Sequence, residues 1–282
     1  MRRSVQDILN KKKRGEKITM LTAYDYPFAS LIDQADVDII LVGDSLAQVV
    51  LGLNSTQDVG MDEMLHHARA VNRAVRRAMV VGDLPFSAYQ THPQDAVKNA
   101  RRFIDEAGCQ AVKLEWFERC PEVTSAIVQA GIPVMGHVGL TPQTADRLGG
   151  YKVQGKDAVS AGRLIEQAQT LEARGCFSIV LECIPREIAQ IISSRLSIPA
   201  IGIGAGKDCD GQVLVTHDLL GLFERFHPKF AKQYVDLGSA IKEAAGRYRE
   251  EVTDGRFPDE AHSYSLPQGE MEKLRNLYST GL

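Results

Sequence analysis

A parallel α/β barrel is the fold this sequence predicts, and three observations carry the expectation. Short runs rich in Val, Ile and Leu alternate with longer amphipathic stretches, the pattern of strands joined by helical crossovers. The strand-like runs are almost continuously apolar, as strands buried on both faces are. About eight such units follow one another, which suits a closed (β/α)8 TIM barrel better than the alternative, an open doubly wound sheet.

The elements follow in chain order. Ser4-Val5-Gln6-Asp7 has the form of a helix N-cap with an acid three residues on. The Lys11-Lys12-Lys13-Arg14 run after it reads as a solvated helix C-terminus rather than a nucleic-acid patch. Strands are expected at 18–23, 39–42, 79–82, 111–115, 133–137, 178–182, 200–203 and 212–216. Helices are expected at 28–35, 62–76, 93–107, 121–130, 158–174 and 186–195. The linker 204–211 is too short for a full helix, so the last unit is irregular. A further helix is expected at 236–252. Residues 1–262 are expected to form one barrel domain with an N-terminal capping helix and a C-terminal helix, and 263–282 a polar tail.

Composition narrows the class. The chain has 282 residues, 44% hydrophobic and 24% charged, an ordinary balance for a globular core. A formal net charge of −3 offers no electrostatic reason to expect nucleic acid or a membrane surface as partner. No apolar run approaches the roughly 20 residues of a membrane helix. Met1-Arg2-Arg3-Ser4 turns polar at once, unlike a signal peptide, so a cytoplasmic location is expected. The five cysteines (Cys109, Cys120, Cys176, Cys183, Cys209) form no C-x-x-C pair and read as reduced, mostly packed thiols.

The chemistry gathers at strand ends. The first strand runs into Asp25, the second into Asp44-Ser45 and the third into Asp83, while the fourth ends at Glu115, the fifth at His137 and the sixth at Glu182. In a barrel these ends meet on one face, where active sites form. A lone acid there would read as a helix cap. Several together would repel one another unless a cation neutralises them, and Mg²⁺ is the commonest hard cation for oxygen ligands. Lys113 lies two residues before Glu115, so both side chains share one face of the strand, where the lysine must be paired. His137 reads equally as a structural residue and as a site group. Glu182 leaves an apolar strand, so desolvation should raise its pKa and suit it to proton abstraction. Gly202-Ile203-Gly204-Ala205-Gly206 reads as either an anion cradle or a tight turn.

At these residues the sequence resembles the ketopantoate hydroxymethyltransferase family. The likeness runs through Leu21-Thr22-Ala23-Tyr24-Asp25-Tyr26, Leu41-Val42-Gly43-Asp44-Ser45, Asp83-Leu84-Pro85-Phe86 and Val112-Lys113-Leu114-Glu115. It continues through Gly136-His137-Val138-Gly139-Leu140-Thr141-Pro142-Gln143, the 149–155 run, Leu181-Glu182-Cys183-Ile184-Pro185, Ile201-Gly202-Ile203-Gly204-Ala205-Gly206, Asp210-Gly211-Gln212 and Pro228-Lys229-Phe230. The resemblance implies a barrel like those of phosphoenolpyruvate mutase and isocitrate lyase. It implies transfer of a hydroxymethyl group from methylenetetrahydrofolate to 3-methyl-2-oxobutanoate, giving 2-dehydropantoate in pantothenate (coenzyme A) biosynthesis. A Mg²⁺-bound enolate formed by a Glu base would attack the one-carbon donor.

Position by position, the family's metal acids fall on Asp44, Asp83 and Glu115, its substrate contacts on Asp44, Ser45, Asp83 and Lys113, and its base on Glu182. His137 and Asp25 are expected to support this set. The family also implies a homo-oligomer, commonly a decamer. This chain departs from the family pattern at Ala47-Gln48 and at Gln57-Asp58, both in a loop at the barrel mouth. Two other functions compete with this one: a lyase or mutase, and a binding barrel without catalysis. A lyase or mutase of the related barrels commonly carries a K-K-C-G loop, which is missing here, and the intact acids argue against a catalytically silent barrel.

Overall fold

The computed structural model describes residues 2–148 and 150–279. Gly149, which opens the 149–155 run, lies outside the described residues, as do Met1 and residues 280–282 of the expected tail. The chain forms two compact units, Met1–Tyr234 and Val235–Leu282. In the first, α1 (Val5–Lys13) precedes β1 (Ile18–Thr22), α2 (Tyr26–Gln34), β2 (Ile39–Val42), α3 (Leu46–Val49), α4 (Met61–Ala74) and β3 (Met79–Asp83). Then come α5 (Pro93–Asp105), β4 (Ala111–Glu115), α6 (Cys120–Gln129), β5 (Val134–Gly139), α7 (Ala158–Ala173), β6 (Ser178–Glu182), α8 (Arg186–Arg195), β7 (Ala200–Ile203), β8 (Gly211–Leu214) and α9 (Thr216–Leu219). In the second unit, α10 (Leu237–Thr253) and α11 (Glu270–Tyr278) form, neither with a buried residue.

The eight parallel strands close into a barrel, β8 pairing with β1. Strand residues alternate between two apolar clusters, as the two-residue period of a strand demands. Ile18, Met20, Ile39, Leu41, Met79, Val81, Ala111, Met135, Val180 and Ile201 fill the interior. Ile40, Val42, Val80, Val112, Leu114, Val134, Ile179 and Leu181 face the helices. Continuing the inward series by two residues along each strand reaches Asp83, Lys113, Glu115, His137 and Glu182. The polar site is therefore the top layer of the barrel interior, and the same alternation that packs the core points it inward.

The bottom is closed by α1. Its capping box forms between Ser4 and Asp7, and Ile8 joins the interior cluster, fully buried. The basic run is not simply solvated, contrary to the expectation from its charge. Lys11 pairs with Asp38 at 2.7 Å, and Lys12 reaches Asp210 at 2.8 Å and the Ser193 and Ile198 carbonyls. Only Lys13 and Arg14 of the run are exposed. A helix packed under the barrel brings its lysines to the acids preceding β2 and β8.

The eighth strand is shorter than expected. Thr216 opens α9, with its N–H donating to Thr22 Oγ1 at 3.0 Å and its hydroxyl to the Thr22 carbonyl. These bonds fasten the turn to β1 and end the ladder at Leu214. No helix separates β7 from β8, in keeping with the short linker. Among the described residues no helix is long and apolar enough to cross a membrane. The five cysteines are free, four of them buried.

Candidate active site

Strand register assembles the site. Asp83 pairs across the sheet with Lys113, and Glu115 with His137. Gly139 lies opposite Glu182. Neighbouring inward residues on parallel strands project side by side, so five strand-end side chains meet without any loop having to fold over them. They line a cavity of about 510 Å³, together with Asp44 and Ser45 from the turn after β2.

Lys113 is the centre of charge. Its Nζ lies 2.8 Å from each Asp83 oxygen, and both side chains are buried. Burial alone would lower the lysine's pKa, but Asp83, Glu115 and Asp44 outweigh it and raise it, so the ammonium persists. Burial pushes the Asp83 carboxyl up to about 7, although Lys113 draws it down, and Asp44 adds to the push. Asp83 Oδ2 also accepts the Asp44 N–H at 3.3 Å. Asp44 Oδ2 accepts from Gln143 Nε2 at 2.9 Å, and Glu115 Oε2 from the Gln143 N–H at 3.0 Å. Burial raises the Glu115 pKa well above the ordinary range; Lys113 opposes, while Asp44 and Asp83 reinforce.

His137 stands between two carboxylates. Its Nδ1 is 3.5 Å from Glu115 Oε1 and its Nε2 is 3.3 Å from Glu182 Oε2. Burial, then the Lys113 charge, lowers its pKa well below the usual range, so the ring is neutral. Neither contact has hydrogen-bond geometry, leaving both ring nitrogens and Glu115 Oε1 buried without partners. Glu182 is half-buried at the end of β6, and burial raises its pKa to about 8, with Lys113 opposing and Asp44 reinforcing. The following residue, Cys183, has φ +47°, a left-handed backbone that a β-carbon disfavours.

Gly139 makes the Glu182 position attainable. Its φ is +102°, and a β-carbon there would come 2.2 Å from the Glu182 carbonyl. Gly139→Ala is expected to cost about 1–3 kcal/mol of stability and to lower turnover by displacing the end of β6. Urea denaturation and steady-state rates of the variant would check this, and a variant matching the parent in both would refute it.

Ser45 Oγ lies 2.8 Å from the Tyr24 hydroxyl, whose pKa burial raises far enough to keep it protonated. Asp25 is not among the cavity-lining residues. It is the N-cap of α2, its carboxylate accepting the Phe28 N–H at 2.9 Å, the capping role open to any acid at a strand end. Gly204 and Gly206 both have positive φ, and β-carbons there would strike Phe230 and Arg186, so this segment is a tight turn closely packed by side chains.

The residues fit a hard cation by chemistry. Asp44, Asp83, Glu115 and Glu182 set four carboxyl groups around the Lys113 charge, all oxygen donors, with Glu115 Oε1 buried and unclaimed. As placed, no three His, Cys, Asp or Glu side chains among the described residues form a ready metal cluster, and Asp83 turns both oxygens to Lys113.

Several lining residues had no assigned role in the sequence. Tyr151, Val153, Phe223, Phe226 and Phe230 make much of the cavity lining apolar, and behind the lining acids the buried Gln143 and Tyr89 connect Asp44 with Glu115. Gln143 and Phe230 stand in runs that carry the family likeness, but no periodicity marks a loop residue that folds over a barrel end. At the departures from the family pattern, Gln48 Nε2 donates to the Asn54 carbonyl at 3.1 Å and Gln57 Nε2 to the Gln143 carbonyl at 2.7 Å. Ala47 and Gln48 stand in α3 rather than in the expected loop, with Ala47 buried. Ser55 and Asp58 form a capping box, so the segment after α3 is tied to itself and to the site.

A family model described as ketopantoate hydroxymethyltransferase matches residues 2–260. A 3-methyl-2-oxobutanoate hydroxymethyltransferase of Syntrophus aciditrophicus (strain SB) is 55% identical over 253 residues, 90% of this chain and 93% of that protein. The protein of the same name from Clostridium botulinum (strain Langeland / NCTC 10281 / Type F) is 53% identical over 274 residues, covering 97% and 100%. Among solved structures, phosphonopyruvate hydrolase superposes with a TM-score of 0.63 at 15% identity, over 100% of this chain and 99% of that one. A 2,3-dimethylmalate lyase, of the PEP mutase/isocitrate lyase superfamily, does so with a TM-score of 0.58 at 14% identity, over 99% of each. At these identities the likeness is one of fold.

Proposed function

Because the chain belongs to the ketopantoate hydroxymethyltransferase family, we propose that it transfers a hydroxymethyl group to 3-methyl-2-oxobutanoate, with methylenetetrahydrofolate as the one-carbon donor. The single observation that carries a mechanism is geometric: Asp83 pairs with Lys113 at 2.8 Å, while Glu182 stands across His137 from Glu115.

Asp44, Asp83 and Glu115 would hold Mg²⁺, which when bound supplies Lewis-acid stabilisation of charge on the ketone oxygen. Lys113 and Ser45 hold the substrate carboxylate, with Tyr24 orienting the Ser45 hydroxyl. Glu182 removes the proton from the carbon beside the ketone. Its pKa of about 8 makes it a stronger base than an exposed carboxylate when ionised. One water is consumed: it breaks the donor's carbon–nitrogen bonds to release tetrahydrofolate and leave the one-carbon unit at the formaldehyde level. The deprotonated carbon attacks that unit, and the new alkoxide takes up a proton to give the hydroxymethyl group. A small 2-oxo acid fills only part of the cavity, and the aromatic lining suits the flat ring of the donor. Assembly as a homo-oligomer, a decamer, belongs to the same proposal, and the exposed apolar stripe Ile241, Tyr248 and Val252 on α10 supports self-association. A cytoplasmic location suits five unpaired thiols.

NMR exchange of the substrate's α-proton in D₂O, with Mg²⁺ and without folate, tests the first half of the reaction. The base works only when ionised, and its pKa is raised, so exchange should climb with pH through about 8 and then level off. A flat profile across that range would remove Glu182 from the role. No exchange, together with no product when methylenetetrahydrofolate is added, would sink the substrate assignment.

A further inference from the structure

The acids of the cavity floor lie on separate segments, and one residue touches two of them. Gln143, in the 3-10 segment Pro142–Leu148 after β5, is fully buried. Its Nε2 donates to Asp44 Oδ2 at 2.9 Å and to the Leu84 carbonyl at 3.0 Å, beside Asp83. Its own N–H donates to Glu115 Oε2 at 3.0 Å. The Tyr89 hydroxyl donates to Gln143 Oε1 and accepts the Glu115 N–H at 3.4 Å.

The two ends of the amide follow from chemistry. A carbonyl only accepts, so the atom facing Leu84 is nitrogen, and the same nitrogen faces Asp44. The Tyr89 O–H faces the other end of the amide, Oε1. The amide is thereby locked with its donor toward the acid. Gln57, at a departure from the family pattern, holds the Gln143 carbonyl from the mouth loop at 2.7 Å.

We infer that Gln143 is a positioning residue for the cation site: it claims one oxygen each of Asp44 and Glu115 and leaves Glu115 Oε1 to a ligand. The inference rests on the Mg²⁺ reading above. A residue that only filled space would satisfy Leu84 and Tyr89 without donating to two acids from different segments. Partners that orient metal ligands in this way typically govern about 10–100-fold of metal affinity.

The test is Gln143→Met, which keeps length and approximate volume but removes the side-chain donor. Free Mn²⁺ is titrated against the full chain by electron paramagnetic resonance, and α-proton exchange is followed at rising Mn²⁺. The Mn²⁺ Kd should rise at least about tenfold, with kcat recovering toward the parent value at saturating metal. An unchanged Kd, or a kcat loss that metal does not restore, overturns the inference. Should that variant fail to fold, Tyr89→Phe removes only the lock on Oε1 and should raise the Kd less, in the same direction; no rise overturns it. A parent protein that binds no Mn²⁺ refutes the metal reading and the inference together. Binding by the parent that Gln143→Met leaves intact refutes this inference alone.

Discussion

Glu182→Gln is expected to slow α-proton exchange by about 10²–10⁴-fold, the usual contribution of a general base, while leaving Mg²⁺ affinity nearly unchanged. The split follows from position. Glu182 is fastened by its main chain: its carbonyl accepts the Leu140 N–H at 2.9 Å, and the Cys183 N–H donates to Ile203 at 2.9 Å. Glutamine keeps the size and the neighbours of the side chain, so the barrel end should persist. What it loses is basicity. The proposed cation ligands, with Glu115 on the other side of His137, are left unaltered. Isothermal titration with Mg²⁺ and exchange by NMR on the same preparation would measure both. Parallel losses in rate and affinity would mean that Glu182 belongs with the metal acids.

Lys113→Met is expected to be the most destabilising single change in the site. It leaves both Asp83 oxygens without their 2.8 Å partner, buried beside Asp44 and Glu115. Breaking a buried pair from one side typically costs about 3–5 kcal/mol, whereas removing both charges is far milder. Lys113→Met/Asp83→Asn should therefore recover part of the stability lost, though not activity, since the proposed carboxylate contact remains absent.

The pH dependence has a definite sign. Asp83 already titrates above its unfolded value, and loss of Lys113 raises it further. A carboxyl with a raised folded pKa costs nothing below its unfolded pKa and destabilises increasingly as pH climbs toward the folded one. The deficit of Lys113→Met should therefore be smaller near pH 5 than near pH 8. Denaturant midpoints at the two pH values decide it. An equal deficit at both would mean that the lost packing of the lysine stem, not the orphaned charge, is responsible.

Much of the barrel could be read from the chain because its strands are buried on both faces. An apolar run such as Ile39–Val42 has no polar face to blur its limits, and observed and expected bounds agree. The ends were harder. Val213, Leu214 and Val215 look like a strand running on, yet Thr216 turns into α9 because Thr22 on β1 takes both its N–H and its hydroxyl. Lys11 and Lys12 carry charge that suggests solvent, and nothing local to them reveals Asp38 or Asp210. Asp25 follows an apolar run as Asp83 ends one, but a helix starts at once behind Asp25 and takes its carboxylate as a cap.

The chain alone determined which residue types end the strands, and strand alternation determined that Asp83, Lys113, Glu115, His137 and Glu182 share the barrel's inward face. Those are consequences of local periodicity, which a linear sequence carries in full. Register and closure decided the rest: that Lys113 meets Asp83 rather than Glu115, that a neutral His137 separates Glu115 from Glu182, and that Gln143 reaches 99 residues back to Asp44. A hydrogen bond depends on distance and angle to a few tenths of an ångström. Only the packed barrel sets those between segments so far apart in the chain.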